Sequence, residues 1–133
     1  MRTGSVLLVT ICVLAGAAGA QAQPAAIATD RVGFDQPATS AELALLTWRF
    51  VLDGAPAQPL AGVTCAPISG QVDRHACSAP WPAMTPGQHT IAIIARRTEG
   101  TLTLDSAPSA PFTFRFVVAP STPENVRNIR PAS

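Results

Sequence analysis

Lysine and tyrosine are absent from the 133 residues, charged residues make up only 13% and aromatics only 5%. All nine basic residues are arginine, set against eight acids, for a formal charge of +1. That balance excludes the positive surplus with which proteins hold nucleic acid or an anionic membrane. Arginine alternates with aromatic rings only at Trp48-Arg49-Phe50 and Phe114-Arg115-Phe116. There a period of two sends the rings to one face and arginine to the other, unlike a base-stacking platform. We assign the missing lysine to a GC-rich genome rather than to function.

Motifs that carry chemistry are also missing. There is no Gly-x-Ser-x-Gly elbow, no glycine-rich phosphate loop, no Arg-Gly-Asp triplet, and no Asn-x-Ser/Thr signal at Asn125 or Asn128. His75 and His89 are the only histidines. Either can be drawn beside Ser69, Ser78 or Asp73, but any chain offers such combinations, and a catalytic triad is defined by geometry. His75 is expected as an exposed strand residue and His89 as a half-buried corner residue. The acids Asp30, Asp35, Glu42, Asp53, Asp73, Glu99, Asp105 and Glu124 are scattered over turns and strand ends. Nothing in their spacing suggests the facing carboxylates of a glycosidase. No enzyme activity and no cofactor are expected.

The longest apolar run, Val6 to Ala18, carries no charge and is shorter than the roughly 20 residues that span a bilayer. Arg2 precedes it and the small-residue site Ala20-Gln21-Ala22 follows, the three-part pattern of a secretory signal peptide over 1–22. Cleavage after Ala22 leaves 111 residues, removes Arg2 and so brings the net charge to zero. It also removes Cys12, leaving Cys65 and Cys77. An even pair in an exported chain reads as a disulfide, closing a loop of about 13 residues and worth roughly 3 kcal/mol. Cys65, His75, Cys77 and His89 also supply the ligand types of a Cys2His2 metal site, but their spacing is not that of a zinc finger. The oxidising compartment favours the disulfide, and no metal is expected.

Hydrophobicity in the remainder alternates with period two. Phe112, Phe114, Phe116 and Val118 form one inward row, and Leu46, Trp48, Phe50 and Leu52 another that ends at the turn dipeptide Asp53-Gly54. His89 to Arg96 is apolar on both faces, as in a central strand. Weaker strands are expected over Val32–Asp35, Leu60–Cys65 and Arg74–Ser78. Prolines such as Pro37, Pro56, Pro67, Pro80, Pro86 and Pro108 fall between them, as expected for a residue without a ladder donor. Thr39 and Glu42 make a capping-box pattern that predicts one helical turn near Ser40–Ala44. Six or seven short strands in about 100 residues predict an all-β fold, an antiparallel Greek-key β-sandwich.

Binding in sandwiches is carried on loops. Thr98 to Asp105 is the longest loop of the last third, and Thr101, Leu102, Thr103 and Leu104 form a possible binding loop. The plainer expectation is that Leu102 and Leu104 extend two strands as a hairpin. Trp81, between Pro80 and Pro82, is an interaction anchor if exposed. The favoured alternative folds it over the open end of the core.

The order of residues resembles a fibronectin type III domain from Asp30 to Val118. Val32-Gly33-Phe34-Asp35 is similar to the family's second strand, and Trp48-Arg49-Phe50-Val51-Leu52 to its aromatic-rich third. Met84-Thr85-Pro86-Gly87-Gln88-His89 matches the turn into the sixth strand, and Ser106-Ala107-Pro108-Ser109-Ala110 the turn before the last. His89 replaces the tyrosine of the tyrosine corner, and the first strand is missing or very short. The cysteine pair resembles a version found in small bacterial secreted proteins. The resemblance implies a domain over 23–119 and a flexible tail over 120–133. Pro120 to Arg127 resembles the start of a second such domain, and the tail is a candidate for the missing edge strand, in cis or in a neighbour. The expected role is a non-catalytic secreted or periplasmic interaction module that binds a protein or glycan. The alternative is a structural subunit that assembles by edge-strand exchange through the tail.

Overall fold

The protein is described by a computed structural model covering residues 23–132; the leader expected over 1–22 lies outside the described residues. Two sheets enclose one core. The larger has strand order β1-β9-β7-β3-β4, formed by β1 (Ala25–Ile27), β9 (Phe112–Val117), β7 (Gly87–Glu99), β3 (Leu46–Leu52) and β4 (Gln58–Pro59). β8 (Leu102–Asp105) folds back on the far end of β7. The smaller sheet has the order β2-β6-β5, from β2 (Arg31–Pro37), β6 (Arg74–Pro80) and β5 (Thr64–Pro67). Among the described residues no helix is long and apolar enough to cross a membrane.

The alternating rows meet in the core. Val32 and Ala79 from the small sheet pack against Phe50, Ile91, Ile93, Phe114 and Phe116 from the large one. Trp48 joins the two layers by a hydrogen bond as well, its indole N–H donating to Gln36 Oε1 at 3.0 Å. β7 is buried on both faces, with Ala92 and Ile94 as enclosed as Ile93, which follows from its place between β3 and β9. The single helical turn, α1 (Ser40–Leu43), sits on the crossover from β2 to β3. Its capping box is closed in both directions, Glu42 N–H to Thr39 Oγ1 at 3.1 Å and Thr39 N–H to Glu42 Oε2 at 2.9 Å.

Three expectations are corrected. Not every pairing is antiparallel: β1 runs parallel to β9, with Ala25 opposite Arg115 and Ile27 opposite Val117. The turn after it, held by Asp30 on Ile27, then throws the chain across to β2 in the other sheet. The strand expected over Leu60–Cys65 is mostly loop: only Thr64 and Cys65 are in a strand, the start of β5, because over 60–63 the chain crosses from β4 in one sheet to β5 in the other. His75 is buried rather than exposed, since it shares the inward row of β6 with Cys77 and Ala79.

Cys65 and Cys77 form the expected disulfide across β5 and β6. Ile68 N–H bonds to Arg74 C=O three residue pairs along, so Cys65 and Cys77 occupy a non-hydrogen-bonded pair, the class in which opposite Cα atoms lie closest. Their Cα atoms are 4.0 Å apart.

Candidate functional site

The side of the sandwich between β2 and β9 is open. β1 covers β9 only from Arg115 to Val117, and β2 is the last strand of its sheet, so among the described residues its outer edge has no strand beside it. An apolar groove of about 650 Å³ opens there, lined by Val32, Phe34, Trp81, Ile93, Phe112 and Phe114 among others, with Asp30, Arg31 and Asp35 also on its lining. Phe114 forms its floor and is fully buried, whereas Phe112, stacked on it at 5.9 Å, is 46% exposed.

Trp81 belongs to this groove. It folds over the core as expected, its ring 4.5 Å from Phe114, and its buried indole N–H has no partner among the described residues. Thr101, Leu102, Thr103 and Leu104 are elsewhere. They form the β7–β8 hairpin, in which Leu102 and Leu104 stand exposed and the Arg96–Asp105 ion pair braces the strands at 2.7 Å. The structure therefore separates the two sequence-derived candidates: Trp81 lines this groove, whereas of the hairpin residues Leu104 lines a different, smaller hollow of about 310 Å³ beside Pro37 and Leu46. The bare edge of β2 carried no signal in the alternation, because period two reports which face is buried and not which edge is paired.

A second polar cluster sits at the start of β7. His89 is buried, with Nδ1 2.6 Å from Asp53 Oδ2 and Nε2 2.6 Å from the Thr85 carbonyl. Both partners are acceptors, an arrangement that favours the ring with a proton on each nitrogen. The Asp53 hydrogen bond, followed by that of Thr85, raises the His89 pKa above its ordinary value. The His89 hydrogen bond, followed by the Thr90 N–H, lowers that of Asp53. With Nε2 committed to a backbone carbonyl, the ring has no nitrogen left to take a proton from a nucleophile. The cluster is a strap that ties the Asp53-Gly54 turn to β7. His75 Nδ1 is buried without a partner among the described residues. No group of three or more His, Cys, Asp and Glu among those residues is placed to hold a metal.

Comparison with protein-family models, with characterised proteins and with solved structures finds no match.

Proposed function

We propose that the chain is an exported, fibronectin type III-like Greek-key sandwich that acts as a non-catalytic interaction module, and that its binding face is the open side between β2 and β9. The orders β2-β6-β5 and β3-β7-β9 parallel the B-E-D and C-F-G orders of immunoglobulin-like sandwiches. His89, bonded to a carbonyl four residues upstream, does the work of a tyrosine corner. The disulfide suits an oxidising compartment at the periplasm or cell surface.

One observation carries the functional reading: a strand edge without a neighbour runs beside an apolar groove capped by half-exposed Phe112. Strand addition supplies main-chain hydrogen bonds and a groove supplies side-chain pockets, the combination by which sheet edges recognise extended protein segments. A protein partner is favoured over a glycan because the lining is mostly apolar. The test is a photoreactive phenylalanine analogue at Phe112 in the full-length chain, expressed in its own host, with the same probe at Thr103 as the control. Protein adducts at Phe112 and none at Thr103 are expected. Equal labelling, or none at Phe112, overturns the assignment.

The assembly reading also has an observation in its favour. Among the described residues from Val118 onward the chain forms no element, and Val126 and Ile129 are 91% and 75% exposed, as an unpaired donor segment would be.

A further inference from the structure

The outer edge of β2 has a definite hydrogen-bonding phase. Ala38 N–H donates to Asp73 C=O at 2.9 Å, continuing the β2–β6 ladder, so the even-numbered residues of β2 bond to β6. Arg31, Gly33 and Asp35 therefore turn their N–H and C=O groups outward. Their side-chain positions are exposed, whereas Val32 is buried and Phe34 is half-buried against the core. Unpaired edges invite pairing, and proteins guard them with lysine, proline or a bulge. The chain has no lysine, Pro37 stands only at the strand's end, and the middle of the edge is glycine.

We infer that this edge pairs with the same edge of a second copy of the chain, antiparallel about a two-fold axis through Gly33. The inference rests on the open side being the binding face and names its occupant. In that register Arg31 lies opposite the second copy's Asp35, and symmetry repeats the pair. Val32 lies opposite the second copy's Phe34 above the groove. Gly33 meets Gly33, where the axis leaves no side chains to clash. Arg31, Gly33 and Asp35 are all at hydrogen-bonding positions, so every outward donor and acceptor between them is used.

Charge selects this register over its neighbours. A slip of two residues sets Arg31 against Pro37, which has no N–H, or against Gly33, and leaves the charges unmatched. A slip of four sets Asp35 against Asp35 or Arg31 against Arg31. Asp35 is available in the single copy, with only a 3.5 Å contact to Arg74. Arg31 is folded across β6, its Nε and Nη2 bonded to Ser78, Gly62 and Thr64, so the pairing requires it to leave those partners and swing to the outer edge. A two-fold contact of this kind is self-complementary and closes at the dimer.

The test is sedimentation equilibrium on protein recovered after export of the full chain. A concentration-dependent dimer is expected. Asp35→Arg and Arg31→Asp each place like charges opposite one another and should weaken it by about tenfold or more. Mixing those two variants restores every pair, so a mixed dimer of near wild-type strength should form. Gly33→Pro removes the outward N–H at the axis. A Cβ there meets nothing closer than Cys77 O at 3.8 Å, so its melting temperature reports whether the monomer still folds. A folded Gly33→Pro monomer supports the pairing. A wild-type monomer at the highest soluble concentration, or a dimer indifferent to all three variants, overturns it. A monomer whose Phe112 probe labels a foreign protein overturns this inference and leaves the interaction module standing. A monomer with no adduct overturns both.

Discussion

His89 Nδ1 lies 2.6 Å from Asp53 Oδ2, which ties the first turn of β7 to the turn that ends β3, 36 residues earlier. The pair makes stability depend on pH with a definite sign. The histidine is raised above its ordinary 6.5, so its contribution is complete below that value and is lost as pH rises through the folded pKa. The aspartate is lowered below 3.8, so its contribution is present above that value and is lost as pH falls through the folded pKa. The melting temperature should therefore hold between about pH 4 and 6.5 and decline on the alkaline side. His89→Gln should flatten that alkaline limb; an unchanged slope would show that the strap is not the group titrating.

The disulfide closes a short loop between adjacent strands. Replacing Cys65 and Cys77 together with alanine should cost roughly 3 kcal/mol in the chain-entropy account. Chemical denaturation of the double variant measures it, and reduction of the wild-type protein should lower the midpoint by a similar amount.

Phe114 has no exposed surface and touches both Trp81 and Phe112. Phe114→Ala removes the groove's floor and should cost about 3–5 kcal/mol. Phe112→Ala, at a half-exposed position, should cost far less while weakening whatever binds the open side. A stability loss at Phe112 as large as that at Phe114 would mean that the groove is ordinary core.

Deletion of 120–133 separates the two modes of assembly. The tail has no strand partner, and Val126 and Ile129, three residues apart, fall on opposite faces of any strand they form. The truncated chain should melt within a degree or two of the whole and keep its dimer, to be checked by calorimetry and sedimentation. A loss of assembly on truncation would assign the donor strand to the tail.

β3 and β9 were legible by their alternation, β2 and β6 more weakly, and most of β7 as a strand apolar on both faces; Thr39 with Glu42 marked α1, because a capping box is a local hydrogen-bond pattern. Other features had no such signal. β1 is too short to show a period. The change of sheet between β4 and β5 depends on Gly62, whose φ of +71° turns the chain where a Cβ would meet Pro80 at 3.1 Å. Leu60, in that passage, plugs the core from a loop, its N–H on the Trp48 carbonyl. β7 continues to Glu99, past the core, because Arg96 and Arg97 are paired with β3 on one side and β8 on the other. The possible binding loop was chosen by length and the groove by no sequence signal. A missing strand leaves its trace on the neighbour that lacks it, and β2 reads as an ordinary strand.

The parallel pairing of β1 with β9 joins residues roughly 90 positions apart, the first strand with the last. Ordered β1 needs β9 beside it, and β9 is the last of the described strands to be synthesised. Closure of the domain is thus a terminal event, set by loop-closure entropy and high contact order. Until then Phe114 and Phe116 have no sheet to join, so the core stays incomplete until the last strand is in place.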